Sequence, residues 1–221
     1  MSKPKRRTAD APQDPVDLKI IAGEFRGRRV RHEPFRGDDS LLVTRPMKHR
    51  LRETIFNLVG VEAAGTQAID LFAGTGALGL EALSRGAAQA TFIERHVPTA
   101  RVIEENIATL GAASRCTLLM TSAFLWAKRD LGPTPTASSP PSDRPWLTFC
   151  SPPYDFYVDR VDEMLELIAA IQQAAPAHSI LVVESDERFD FSRLTTVGTD
   201  GWDIRSYPPA VLGIWRKGGA A

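Results

Sequence analysis

Residues 68–86 read AIDLFAGTGALGLEALSRG. Three pieces of structure are packed into this run. The mainly apolar AIDLF (68–72) is strand-like. It passes into a glycine loop, and the loop opens ALGLEALSR (77–85), a helical segment that stops at Gly86. Strand, glycine loop and helix in that order begin a parallel α/β unit, and glycines at the turn let backbone come close to a ligand at the carboxyl edge of the sheet.

Downstream the alternation continues. QATFIE (89–94) reads as a strand, PTARVIEENIATL as a helix ending at Gly111, CTLLM (116–120) as a strand and SAFLWAKRD as a short helix. WLTFC (146–150) is the next strand, VDEMLELIAAIQQ an amphipathic helix and SILVVES (179–185) a further strand. WDIRSYPPAVLGIWRK reads as two strands around Tyr207-Pro208-Pro209 and predicts an antiparallel edge. The fold class is therefore α/β: a doubly wound, mostly parallel sheet covered on both faces. LGPTPTASSPPSDRP (131–145) has no periodicity and predicts a flexible loop.

Upstream, KIIAGEFRGRRVRH (19–32) predicts a small hairpin joined at Gly23–Gly27. Thr44 and Pro46 mark a helix start, with Leu51, Ile55, Phe56 and Val59 at helical spacing. The organisation expected is a disordered basic tail (1–17), a hairpin-and-helix extension (18–64) and the α/β domain (65–217).

Composition limits the class. The chain has 221 residues, 43% hydrophobic and 24% charged, as in soluble globular proteins. No apolar run approaches the roughly 20 residues that cross a bilayer, and the basic N-terminus has no apolar core behind it. Cys116 and Cys150 stand alone in apolar runs and read as buried free thiols in a reducing compartment. The four histidines lack ligand spacing, so no metal is expected. A net charge of zero hides an asymmetry: residues 1–52 hold 14 Lys/Arg against 7 Asp/Glu, a net of +7, and the remainder carries −7. A basic front on an acidic body suits a polyanion, although a solvated basic tail has the same composition.

The chemistry concentrates in two places. Gly74, Gly76 and Gly79 satisfy the G-x-G-x-x-G pattern, which brings a nicotinamide dehydrogenase into consideration. Asp70 argues against it. A carboxylate at the mouth of the loop suits a cation, such as the ammonium and sulfonium of S-adenosylmethionine, better than a pyrophosphate. Glu94, ending the next strand, can accept hydrogen bonds from both ribose hydroxyls of a nucleoside cofactor. Ser122 is placed by topology near an adenine, or serves as a helix N-cap. Phe72, Arg95 and Ala123 adjoin these positions and complete the cofactor set.

The second place is Ser151-Pro152-Pro153-Tyr154, directly after WLTFC. Consecutive prolines fix φ and remove amide donors, and can present carbonyls into a pocket. Acceptors from Ser151 and the Pro152 carbonyl suit an exocyclic amine, and Tyr154 can stack on an extruded base. A rigid Pro-Pro turn with a packing tyrosine is the plainer possibility.

Together these residues resemble the RsmD family of 16S ribosomal RNA guanine-N2 methyltransferases. The resemblance runs from Ile20 to Lys217 and is carried by IIAGEFRGRRV, RPMKHRLRETIFN, DLFAGTGALGLEALSRGA, FIER, SPPY and VVESDE. It implies a class I S-adenosylmethionine-dependent methyltransferase fold with seven strands, S-adenosylmethionine as cofactor and 16S ribosomal RNA in an assembling small subunit as partner. It also implies a cytoplasmic protein with neither membrane nor metal. Asp70, Gly74, Gly76 and Glu94 match the family's cofactor positions. Arg26, Arg28, Arg29, Arg45, Arg50 and Arg52 are the expected contacts to RNA phosphates. Three features depart from the family pattern: Ser151 where Asp is usual, Ser122 in a neighbourhood where an acidic or amide residue is common, and the 131–145 stretch, which looks like an insertion. Serine occurs in this motif in related amino-methyltransferases that act on cytosine N4 in DNA. Cytosine or adenine methylation, or a binding module without turnover, are the alternatives.

Overall fold

The computed structural model describes residues 18–31, 49–132, 143–195 and 201–218. The tail 1–17, the Thr44–Pro46 helix start, Arg45 and most of loop 131–145 lie outside the described residues.

From Gln67 onward the strands are β3 (Gln67–Asp70), β4 (Gln89–Ile93), β5 (Cys116–Leu119), β6 (Trp146–Cys150), β7 (Ile180–Asp186), β8 (Asp203–Tyr207) and β9 (Ala210–Arg216). They form one seven-stranded sheet in the order β5-β4-β3-β6-β7-β9-β8. The first five are parallel neighbours, and β9 runs antiparallel to both β7 and β8. The helices are α1 (His49–Val59), α2 (Ala77–Ser84), α3 (Val97–Leu110), α4 (Ala123–Asp130), α5 (Phe156–Asp159) and α6 (Val161–Ala174).

Why both faces are covered follows from the strand sequences. Strands β3 and β6 are buried at every position, and their side chains alternate between two cores. Leu147, Phe149, Ile180 and Val182 face one core with Ile55, Phe56 and Val59 of α1, Leu80 and Leu83 of α2, and Ile103 of α3. Trp146, Cys150, Leu181 and Val183 face the other with Trp126 of α4 and Met164, Leu167, Ile168 and Ile171 of α6. Each such side chain contributes about 1.5–3 kcal/mol by leaving water.

The chain leaves β3 towards β4 and β5 on one side, then returns to place β6 on the other. The carboxyl ends of β3 and β6 therefore flank a topological switch point, where open α/β sheets bind ligands. Asp70 lies opposite Phe149 across this pair, and the Leu71 amide donates to the Phe149 carbonyl at 3.0 Å.

The expected N-terminal hairpin is present as β1 (Leu18–Lys19) and β2 (Arg29–Val30), paired Leu18↔Val30 and Lys19↔Arg29. It is clamped onto α2. The fully buried Glu81 carboxylate accepts from the amides of Ile21 (2.8 Å) and Ala22 (3.1 Å) and from Arg85 Nε (2.8 Å). Ser84 Oγ accepts from the Phe25 amide at 2.9 Å, and the Ser84 carbonyl accepts from Glu24 at 2.7 Å. Gly23 has φ +81°, and a Cβ there would lie 1.7 Å from the Ser84 carbonyl oxygen, so only glycine permits this approach.

Arg52 corrects the sequence reading. It was expected on RNA phosphates, but its side chain is 0% exposed. It lies 3.8 Å from Glu81 and donates to the Lys19 carbonyl at 2.5 Å. Its neighbours at helical spacing, Ile55, Phe56 and Val59, are all buried, so the helix period turns Arg52 inward with them. It joins α1, α2 and the hairpin, and has no surface to offer a phosphate.

Candidate active site

The glycine loop is built by a tight change of direction. Gly76 has φ 80° and caps the start of α2 without a side chain, and the Leu80 amide donates to the Gly76 carbonyl at 2.9 Å. Gly79 lets α2 settle on β4: a Cβ there would meet Phe92 Cε1 at 2.4 Å. Asn106 on α3 steadies the loop from behind. Its Nδ2 donates to the Thr75 and Arg31 carbonyls, each at 3.0 Å, and thereby also reaches the end of the hairpin.

Asp70 is 2% exposed, and its Oδ2 accepts from the Gly79 amide at 3.1 Å. Burial raises its pKa from 3.8 to about 7; the Gly79 amide opposes the shift and Glu94 adds to it. Glu94, one strand over, accepts from the Gly74 amide (2.9 Å) and the His96 amide (2.8 Å). Burial raises its pKa too, and those two amides pull it back. Among the described residues no ion pair holds either carboxylate. Two adjacent acids, both shifted upward, make a site where a cationic ligand relieves an existing cost. That fits a ligand bearing an ammonium or sulfonium, and it does not fit a pyrophosphate.

Phe72 is half-buried and packs edge-on to Phe124 (5.9 Å) and Phe156 (6.0 Å). The Arg160 guanidinium lies over Phe124 at 4.2 Å. Ser122 caps α4, with Oγ accepting from the Leu125 amide at 3.1 Å; this is the plainer of its two sequence readings. Ala123 is buried behind it and Arg95 is exposed. Cys116 and Cys150 are free thiols, both raised by burial, Cys150 to about 12.

Across the switch point, Ser151-Pro152-Pro153-Tyr154 follows β6. Pro152 is buried and the other three are partly exposed. The loop then turns into α5, a one-turn helix absent from the sequence reading, whose first amide donates to the Pro153 carbonyl at 2.9 Å. Asp155 is tied to the turn after β7 through Arg188, at 2.9 Å, and Arg188 also pairs with Asp186 at 2.8 Å.

The residue that sequence reasoning passed over is Glu184. It lies in β7, 5% exposed, and accepts hydrogen bonds from the hydroxyls of both Ser151 and Tyr154, the latter at 2.6 Å. Burial raises its pKa, and the two hydroxyls lower it. The signal was there: an acid inside the apolar run ILVVES has to be paired if it is buried.

Of the expected RNA set, Arg26, Arg29 and Arg50 are exposed. Arg28 is exposed but turns onto α3, donating to the Leu110 carbonyl at 3.1 Å and to the Thr109 carbonyl. Arg52 is buried, and Arg45 is outside the described residues. Among those residues there is no metal-binding cluster, and no helix is long and apolar enough to cross a membrane.

Sheet order, glycine loop and the two motifs at the switch point define the class I S-adenosylmethionine-dependent methyltransferase fold. The Escherichia coli protein yhhF superposes with a TM-score of 0.69 at 24% identity, covering 93% of this chain and all of that one. A Thermus thermophilus 16S rRNA N2 G1207 methyltransferase (RsmC), solved with AdoMet and guanosine, gives 0.65 at 16% identity, covering 96% of this chain and 53% of that one. The model of the family described as conserved hypothetical protein 95 matches residues 18–197. The chain belongs to that family, the RsmD family. The ribosomal RNA small subunit methyltransferase D of Escherichia coli K12 is 43% identical over 97 residues. That match covers 44% of this chain and spans about half, 46%, of the relative.

Proposed function

We propose that the protein transfers a methyl group from S-adenosylmethionine to the exocyclic N2 amine of a guanine in 16S ribosomal RNA of an assembling small subunit. The observation that carries this reading is that two motifs far apart in sequence lie at neighbouring strand ends. Asp70 at the end of β3, Glu94 just after β4 and the Ser151–Tyr154 loop just after β6 share the carboxyl edge of three neighbouring strands. The relative's name supports ribosomal RNA as substrate, and the RsmC complex with guanosine supports the guanine amine.

In this reading Asp70, Phe72, Gly74, Gly76, Glu94, Arg95, Ser122 and Ala123 hold the cofactor, whose sulfonium supplies the methyl group and leaves as a neutral thioether. Ser151 and the Pro152 carbonyl accept from the amine, directing its lone pair at the methyl, and Tyr154 stacks on the base. Orientation is the main service, worth up to about 7–11 kcal/mol in well-aligned reactions. No metal or dedicated base is needed, since the amine is free to lose its proton after attack. Residues 18–64 form the RNA-binding extension, with Arg26, Arg29 and Arg50 on phosphates and Arg28 beside them. The protein then works in the cytoplasm, where ribosomes assemble.

The test is incubation with a labelled methyl donor and small-subunit particles from cells lacking this protein, followed by nucleoside analysis. N2-methylguanosine is expected. Label in cytosine or adenine would replace the target base, and no label on any particle would leave a binding module.

A further inference from the structure

The serine in place of the family's usual aspartate poses a chemical problem. A hydroxyl brings no charge to the amine, and it can also present its proton, which repels an N–H donor. A serine hydroxyl has one donor and two acceptor sites, so its behaviour is set by whatever takes its proton. In this protein the taker is defined. Ser151 Oγ donates to one oxygen of the buried Glu184 carboxylate, and the Tyr154 hydroxyl donates to the other at 2.6 Å. An ionised carboxylate only accepts, so both hydroxyl protons are directed inward to β7.

We propose that Glu184 is a positioning residue for the Ser-Pro-Pro-Tyr loop, taking the protons of Ser151 and Tyr154 so that Ser151 Oγ faces the target amine as an acceptor backed by a negative charge. The inference rests on the amino-methylation reading. The aspartate's charge has moved one residue back from the substrate and acts through the serine. Charge-assisted hydrogen bonds are roughly twice as strong as neutral ones, and Glu184 is 5% exposed, so water screens the charge little. The same contacts hold Tyr154 by its hydroxyl end while its ring remains partly exposed.

A purely structural Glu184 and a positioning one differ in how they couple to residue 151. Four full-length proteins decide it: native, Glu184→Gln, Ser151→Asp, and the double variant. Single-turnover methylation is followed on the same small-subunit particles, with RNA titrations and melting temperatures. Glutamine keeps the shape but is neutral and brings an N–H that one hydroxyl must accept from. Glu184→Gln should lower the methylation rate by about tenfold or more, the worth of one charge-assisted hydrogen bond. The RNA concentration at half-maximal rate should stay within about twofold of native, because base affinity is set mainly elsewhere. Ser151→Asp carries its own carboxylate, and next to Glu184 the two acids compete for one proton. In that background Glu184→Gln should therefore raise the rate or leave it unchanged.

A loss in the native background with a gain or no change in the Ser151→Asp background supports the proposal. An equal loss in both, a native rate in Glu184→Gln, or a loss confined to RNA affinity overturns it. If Glu184→Gln melts far below native, Tyr154→Phe serves instead. It leaves the Ser151 contact in place and should reduce the rate less than Ser151→Ala does; the opposite order overturns the proposal. No turnover by the native protein sinks the amino-methylation reading and this proposal with it, whereas native turnover with an indifferent Glu184→Gln sinks the proposal alone.

Discussion

Asp70→Asn should make the ligand-free protein more stable at neutral pH while weakening its hold on the cofactor. The folded Asp70 has a pKa of about 7 against an ordinary 3.8, chiefly because it is buried. Between those values the folded state keeps a proton that the unfolded chain has released. Stability is therefore full below about pH 4, falls as pH rises towards 7, and stays reduced above that. At 1.36 kcal/mol per decade, the complete loss is about 4 kcal/mol. Asparagine does not titrate, and its Oδ1 can still accept from the Gly79 amide, which lies 3.1 Å from Asp70 Oδ2. Its amide hydrogens need acceptors in a buried place, and an unmet one costs about 1–3 kcal/mol. The absolute gain is therefore smaller than 4 kcal/mol, but the pH dependence survives in the difference. Urea unfolding of both proteins at pH 5 and pH 8 isolates it: variant minus native stability should rise by about 3 kcal/mol over that interval. Glu184 is shifted upward as well and cancels in the subtraction, whereas Glu94, also shifted upward, adds to the Asp70 shift, so its coupled part stays in the difference. Calorimetry at pH 8 should show S-adenosylmethionine binding weakened by more than about tenfold, as for loss of a buried charge partner. A difference constant with pH to within about 0.5 kcal/mol would refute the assignment of a buried, proton-holding Asp70.

Glu81→Gln leaves Arg52 as a buried charge without its acid, which costs about 3–5 kcal/mol; a melting-temperature drop of at least about 6 °C is expected, and one under 2 °C contradicts the clamp. Gly79→Ala drives a methyl to within 2.4 Å of Phe92 Cε1, for a loss of about 1–3 kcal/mol from overpacking that Phe92→Leu should partly restore. Neutralising Arg26 and Arg29 should reduce the salt dependence of RNA binding by about 0.7 in log–log slope for each phosphate that no longer meets a cation. An unchanged slope would place the RNA elsewhere.

Apart from α5, the strands and α-helices from Gln67 to Arg216 were legible from their residue patterns and the turn residues between them. Gly86 and Gly111 end helices in the sequence as they do in the fold. The pairing of the two motifs was legible through topology, since alternating strands and helices can close on a switch point in few ways. The directions taken by individual arginines were not legible from charge counts. Arg52 sits among basic neighbours in sequence, yet the 3.6-residue period of α1 assigns it to the side of Ile55, Phe56 and Val59. Its acid lies 29 positions away on α2, and no local pattern announces such a pairing. Glu184 was hidden for a related reason, because its partners come from the loop after a different strand. Helix α5 is four residues long, too short for periodicity to register.

Helix α2 has eight residues, every one of them buried, and at 1.5 Å per residue it is about 12 Å long. Its first turn carries the amide that Asp70 holds, and its last turn carries Glu81 and Ser84, which hold the hairpin. The helix is thus a gauge block with a fitting at each end. One residue more or fewer would rotate the two fittings by about 100° relative to each other, so that Gly79 and Glu81 could not both meet their partners. Loops at the rim of this fold can change length freely, but α2 must keep its count.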